Sequence, residues 1–176
     1  MAAESDLASA PAPFVLTLEM DGESFAQLDQ LRRRHYPPER NLVPAHATLF
    51  HRLPGEHARE IRALLARVAA GRKPMDVAVA GVKAMERGVA VLLHSPQLFA
   101  LRDELAAEWW PWLSPEDRSG FQPHVTIQNN VSAGEALRTQ KSVAAELRLS
   151  RIRGLGLHLW RYREGRWEDL RLFRFR

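Results

Sequence analysis

Two tetrapeptides of one pattern stand 78 residues apart, His46-Ala47-Thr48-Leu49 and His124-Val125-Thr126-Ile127. Along an extended strand, side chains alternate between faces, so His46 and Thr48 share a face, as do His124 and Thr126. Ala47, Leu49, Val125 and Ile127 face the other way, toward a core. Each segment thus presents an imidazole and a hydroxyl about 7 Å apart. Two imidazoles on opposite sides of a phosphorus can act as general base and general acid, and an imidazole populates both protonation states near neutrality. The threonine hydroxyls can donate to non-bridging oxygens where charge builds. That combination suits phosphoryl chemistry at a ribose. The same alternation adds Phe50 to the first face and Gln128 to the second, as candidate substrate contacts. It turns His51 away from His46, which makes His51 a poor third ligand for a two-histidine metal site. No Asp/Glu cluster suited to Mg²⁺ is evident, and no metal or cofactor is expected.

Positioning these residues requires a folded core, and the chain is long enough for one. It has 176 residues, 45% hydrophobic and 26% charged, with five tryptophans. That suits a single domain or two small lobes sharing a core, and argues against disorder. The absence of cysteine removes disulfides, thiolate metal sites and a thiol nucleophile. No apolar run approaches the ~20 residues that span a bilayer. The opening MAAESDLASAPA is acidic at its start and lacks an apolar stretch, so it reads as a loose tail and not a secretory signal. A cytoplasmic monomer without a membrane partner is expected.

Residues 1–13 are expected to form a disordered tail, followed by one domain over 14–176. Phe14 to Met20 alternates as a strand, and Ser24 to His35 is a helix stopped by Pro37-Pro38. Ala45 to Leu53 is a strand. A helix follows with Ile61, Leu64, Leu65 and Val68 on one stripe, then a strand over Met75 to Lys83. The order then repeats. Val89 to Leu93 is a strand, Ser95-Pro96 opens a helix, Pro123 to Asn129 is a strand, Ser132 caps a helix to about Leu149, and Leu155 to Arg163 is a strand. Trp167 to Phe175 closes a hairpin. Matching elements lie at nearly constant offsets: Phe14 to Val89, 75; Pro54 to Ser132, 78; Met75 to Gly154, 79. This internal duplication predicts an α+β fold with two pseudo-twofold-related lobes, about 14–83 and 89–163. Each lobe would be an antiparallel sheet with two helices, with a central groove between them.

Other residues are candidates for the walls of that groove. His158, Trp160 and Tyr162 share a strand face that is either an aromatic wall for a base or a half-buried hairpin face. Phe121 flanks the second histidine, and Arg118 is close enough in sequence to meet phosphate. Arginine outnumbers lysine 22 to three, and nine arginines against three acids fall between Arg148 and Arg176. Arginine favours bidentate contact with phosphate, so these either flank the groove or form plain solvated surface.

The paired motifs resemble those of the two-histidine phosphoesterase superfamily, which includes 2′–5′ RNA ligases and 2′,3′-cyclic phosphodiesterases. The segments PAHATLFHRLPGE, ERGVAV, LSPEDR, FQPHVTIQNNV and GLGLHLWRYREGRW extend the resemblance over nearly the whole chain after residue 13. It implies a bilobal α+β fold and a metal-independent reaction on RNA or a nucleotide bearing a cyclic phosphate. The catalytic roles would fall to His46, Thr48, His124 and Thr126. One histidine would protonate the leaving ribose oxygen while the other activates water, assigned here as His46 and His124 respectively. The chain departs from the better-known ligases, which have an arginine soon after the second motif where this one has Gln128-Asn129-Asn130. Hydrolysis of a 2′,3′-cyclic phosphate is the expected activity. Its alternatives are 2′–5′ ligation by the same groups, and a non-catalytic RNA- or phosphate-binding module.

Overall fold

The structure, a computed structural model, describes residues 11–176. The expected tail over 1–13 lies mostly outside the described residues; within it, Pro13 is already placed, its carbonyl accepting from the Tyr162 amide at 2.9 Å. The strands are β1 (Phe14–Met20), β2 (Ala47–Leu53), β3 (Met75–Met85), β4 (Gly88–His94), β5 (His124–Gln128), β6 (Arg151–Arg163) and β7 (Arg166–Arg174). The helices are α1 (Gly22–His35), α2 (Ala58–Ala70), α3 (Pro96–Trp109), α4 (Pro115–Arg118) and α5 (Ala133–Glu146). Local chemistry sets their starts. Asp21, Ser95, Ser114 and Ser132 each accept from a backbone amide three residues on, satisfying a donor that the helix leaves free. The mixed helix-and-sheet class and the antiparallel pairing agree with the sequence reading.

One hydrogen-bonded sheet contains all seven strands, in the order β1-β2-β5-β4-β3-β6-β7, with a further β1–β6 pairing. Within this sheet the two sequence halves exchange strands. Neither sequence half keeps its third strand. β3 forms a hairpin with β4 of the following half, joined through Glu86-Arg87. β6 returns to lie along β1, with Leu16 opposite Leu159 and Thr17 opposite His158. A two-residue connection favours local antiparallel pairing, so β3 joins its sequence neighbour and β6 fills the place left beside β1.

The cross-over extends to the helices. The α1 side chain of Arg32 reaches the carbonyl of Thr126 on β5, and Arg102 of α3 reaches the carbonyl of Leu49 on β2. Beneath both, Leu28, Leu49, Phe50, Leu101, Leu105, Trp109, Val125 and Ile127 are almost fully buried. By area transfer each such side chain stabilises the fold by roughly 1.5–3 kcal/mol. This shared core joins β2 to β5, the two strands that hold the tetrapeptides.

Candidate active site

A single antiparallel pair, Ala47 opposite Val125, joins β2 to β5. Its register sets His46 opposite Thr126 and Thr48 opposite His124. Paired positions stand about 5 Å apart across the strands, and each histidine is about 7 Å from its own threonine. The four side chains therefore form a compact quartet on one face, with the imidazoles on one diagonal and the hydroxyls on the other.

The two imidazoles are held alike. Nδ1 of His46 is 2.7 Å from the Pro44 carbonyl, and Nδ1 of His124 is 2.8 Å from the Gln122 carbonyl. A carbonyl only accepts, so in both rings Nδ1 carries the proton and donates it. Nε2 is left free in each to take up or release a proton toward the quartet. Burial lowers the pKa of His46 to about 4, opposed by the Pro44 bond and reinforced by the charges of Arg32, His124 and His51. His46 is therefore neutral in the free protein at pH 7.

Arg32 is buried, with Nε donating to Asn41 at 2.8 Å and a terminal nitrogen to the Thr126 carbonyl at 2.8 Å, and its guanidinium lies 4.1 Å from the Tyr36 ring centre. Burial also lowers its pKa, but it remains a cation beside His46. Arg102 is its counterpart behind β2. Its Nε donates to the Leu49 carbonyl at 2.7 Å, a terminal nitrogen reaches the Asp117 carbonyl, and the guanidinium lies 3.8 Å over Phe50. Each arginine thus ties a motif strand of one half to a helix of the other.

Two cavities flank the quartet. One, of about 490 Å³, is lined by His46, Thr17, Glu19, His158, Trp160 and Trp167, among others. His46 stands 4.5 Å from Trp167 between ring centres; His158 stacks on Trp160 at 3.8 Å, and Trp160 donates to Thr17 at 3.0 Å. The other, of about 480 Å³, is lined by Thr48, His124, Phe121, His51, Lys83 and Arg102, among others. Trp160 thus lines the first cavity and Phe121 the second.

Phe50 and Gln128, expected on the open face, line neither cavity, and one physical cause corrects both. In each motif strand the residue after the threonine is an extra one, forming a β-bulge. Thr17 pairs with Thr48 but Leu16 with Phe50; Ala90 pairs with Thr126 but Val89 with Gln128. Two successive residues then point inward, Leu49 with Phe50 and Ile127 with Gln128. Phe50 is fully buried, edge-on to Trp109 at 5.2 Å, and Gln128 is buried against α5, donating to Thr139 at 3.0 Å. The same bulge overturns the placement of His51, which emerges on the groove side.

Arg118 is corrected too, since it caps the end of α3 by donating to the Trp110 carbonyl at 3.1 Å. Tyr162 lies exposed near the β6–β7 turn and does not line the cavity beside Trp160. Of the C-terminal arginines, Arg174 lines the cavity with His46, while Arg161 and Arg163 face Glu168 and Arg151 faces Asp76. The sequence reading passed over Trp167, the cavity residue against His46. It also passed over α4, whose Ser114-Pro115 start repeats the Ser95-Pro96 signal of α3 and which supplies Asp117. No group of three or more His, Cys, Asp or Glu able to hold a metal ion occurs among the described residues. None of the helices among them is long and apolar enough to cross a membrane.

Residues 20–166 match the family described as the 2′-5′ RNA ligase superfamily. No curated protein gives a significant match. Among solved structures, TT0787 of Thermus thermophilus is similar with a TM-score of 0.64 at 20% identity, over 93% of this chain and 98% of that one. LigT of E. coli in apo form aligns with a TM-score of 0.64 at 18% identity, over 95% and 99% of the two chains. The same LigT complexed with 3′-AMP aligns with a TM-score of 0.63 at 19% identity, over 94% and 98%. At these identities the structures establish a shared fold.

Proposed function

The chain belongs to the 2′-5′ RNA ligase superfamily, and from that premise we propose that it is a metal-independent phosphoesterase that opens 2′,3′-cyclic phosphates on RNA ends or nucleotides. The observation that supports this most is the interlocked quartet, in which two imidazoles with the same tautomer face each other diagonally across two hydroxyls. A phosphate centred there has one free Nε2 on each side. Thr48 and Thr126 are within reach of its non-bridging oxygens, where they stabilise the charge that grows as the fifth oxygen approaches.

In the forward step a water oxygen bonds to phosphorus while the base histidine takes its proton. The bond from phosphorus to one ribose oxygen breaks, and the acid histidine gives that oxygen a proton. The products are a ribose hydroxyl and a phosphomonoester, and the two imidazoles have exchanged protonation states. His46 as acid needs a proton that it lacks in the free protein at pH 7. The negative charge of the bound phosphate raises its pKa and draws that proton in, so binding of the anion and protonation of His46 are coupled. His124, with Nδ1 bonded to Gln122, offers Nε2 to water as the base.

The aromatic cavity beside His46 supports a base-bearing substrate, since Trp160 and Trp167 offer ring faces for stacking. Ligation is the same chemistry with a ribose hydroxyl in place of water. The test is hydrolysis of an oligonucleotide ending in a 2′,3′-cyclic phosphate. A monophosphorylated product supports the reading, and its position, 2′ or 3′, identifies the oxygen that leaves. Tight binding of that oligonucleotide without turnover would mark a binding module instead.

A further inference from the structure

The bulge in β2 leaves an imidazole beside the quartet that the reaction above does not use. His51 lines the cavity of about 480 Å³ with Thr48, His124, Phe121 and Lys83. Its ring is fixed from behind. Nδ1 lies 3.1 Å from Oδ1 of Asp117, which also accepts the His51 amide at 2.8 Å, while Oδ2 accepts the Arg52 amide at 2.9 Å. Asp117 is only 2% exposed, and a buried carboxylate tied to two backbone amides cannot turn away. It holds Nδ1–H toward itself and leaves Nε2 outward. The bond to Asp117 raises the pKa of His51, against the opposing effect of burial, which eases proton uptake relative to an ordinary imidazole. Lys83 adds a second cation on the same cavity wall. Glu116 approaches Nε2 to 3.8 Å, longer than a hydrogen bond, and its side chain is 67% exposed and free to swing out.

We propose that His51, with Lys83, forms a second anion site that binds the 5′-phosphate of the nucleotide whose cyclic phosphate sits at the quartet. The inference rests on the proposed reaction, which puts the reacting phosphate between His46 and His124. His51 follows Thr48 by three residues, about 10 Å along an ideal strand and less across the bulge. His51 and His124 line the same cavity, so a single bound ligand can touch both. An RNA end always has a 5′-phosphate on its last nucleotide, whereas a free nucleoside 2′,3′-cyclic phosphate has none. The site therefore selects RNA ends, or nucleotides phosphorylated at both positions, over simple nucleoside cyclic phosphates.

The test compares binding of adenosine 3′-monophosphate and adenosine 3′,5′-bisphosphate to the full chain by calorimetry, with no turnover required. The wild type is expected to bind the bisphosphate at least tenfold more tightly. His51→Gln, which keeps both backbone amides on Asp117, is expected to bring the ratio close to one. Glu116→Gln is expected to widen it by removing the competing carboxylate. Equal affinities in the wild type, or a ratio preserved in His51→Gln, would overturn the proposal. The bisphosphate preference without cyclic phosphate hydrolysis would contradict the proposed reaction and leave the anion site standing. Hydrolysis without the preference would contradict the anion site alone.

Discussion

Ala47 on β2 lies directly opposite Val125 on β5, and this pair is where the two halves of the site are locked in phase. Both side chains are buried, so each strand must keep its neighbours, His46 and Thr48 or His124 and Thr126, on the open face. A slip of one residue would turn the polar groups inward and the apolar ones out, which the burial of both side chains forbids. The pairing puts each histidine beside the other motif's threonine, so the hydroxyls are shared across the halves.

From that arrangement, Thr48→Val and Thr126→Val should each lower kcat by about 10²-fold, the usual cost of one lost donor to a developing oxyanion. Steady-state kinetics on a cyclic phosphate substrate measure this. A fall in one variant alone would show that only one hydroxyl meets the phosphate.

The bulges make a sharper distinction. Phe50→Ala should act on stability, by about 3–5 kcal/mol, because it empties a site between Trp109 and Arg102. Trp167→Ala should instead weaken binding of a nucleotide by about 1–3 kcal/mol, the range for one lost stacking partner. Thermal unfolding and ligand titration separate the two. A Phe50 variant of unchanged stability but poor affinity would restore Phe50 to the groove.

Arg32 links the strand register to the titration of His46. Arg32→Met leaves the Thr126 carbonyl without its buried donor, at a cost of about 1–3 kcal/mol. It also removes a cation that holds His46 down, so the His46 titration should move upward. Chemical denaturation and imidazole NMR read the two effects in one variant. A destabilised protein whose His46 titration has not moved would break the proposed link.

His46 should also leave its mark on the pH dependence of stability. Its folded pKa of about 4 lies below the ordinary value of 6.5, so between these the unfolded chain binds the proton and the folded one does not. Stability is therefore full above about pH 6.5, falls as pH drops toward 4, and levels off below. The loss is on the order of 3 kcal/mol. Denaturation of His46→Asn against wild type should show a flatter slope over this window. Adding a nucleoside monophosphate to the wild type should raise the His46 midpoint, since the anion favours its proton.

Most elements were readable because their signals are local. Alternation marked β1, and Ser95-Pro96 and Ser132 marked the starts of α3 and α5. The strand exchange was not readable, because nothing in β3 or β6 states which neighbour it will pair with; the short Glu86-Arg87 connection was the one clue. His46, Thr48, His124 and Thr126 were found by repetition and strict alternation. The same alternation failed one step later, at Phe50, Gln128 and His51, because a bulge has no sequence mark in either strand. Asp117 was missed because α4 is four residues long and shows no apolar periodicity.

The most direct test of the central claim is a turnover assay on an oligonucleotide ending in a 2′,3′-cyclic phosphate, with EDTA present, using wild type, His46→Ala and His124→Ala. The wild type is expected to open the ring at an undiminished rate with chelator. Each substitution should lower turnover by at least about 10²-fold, the contribution of one positioned acid or base. Turnover that requires added metal, or that persists in both variants, would contradict the account.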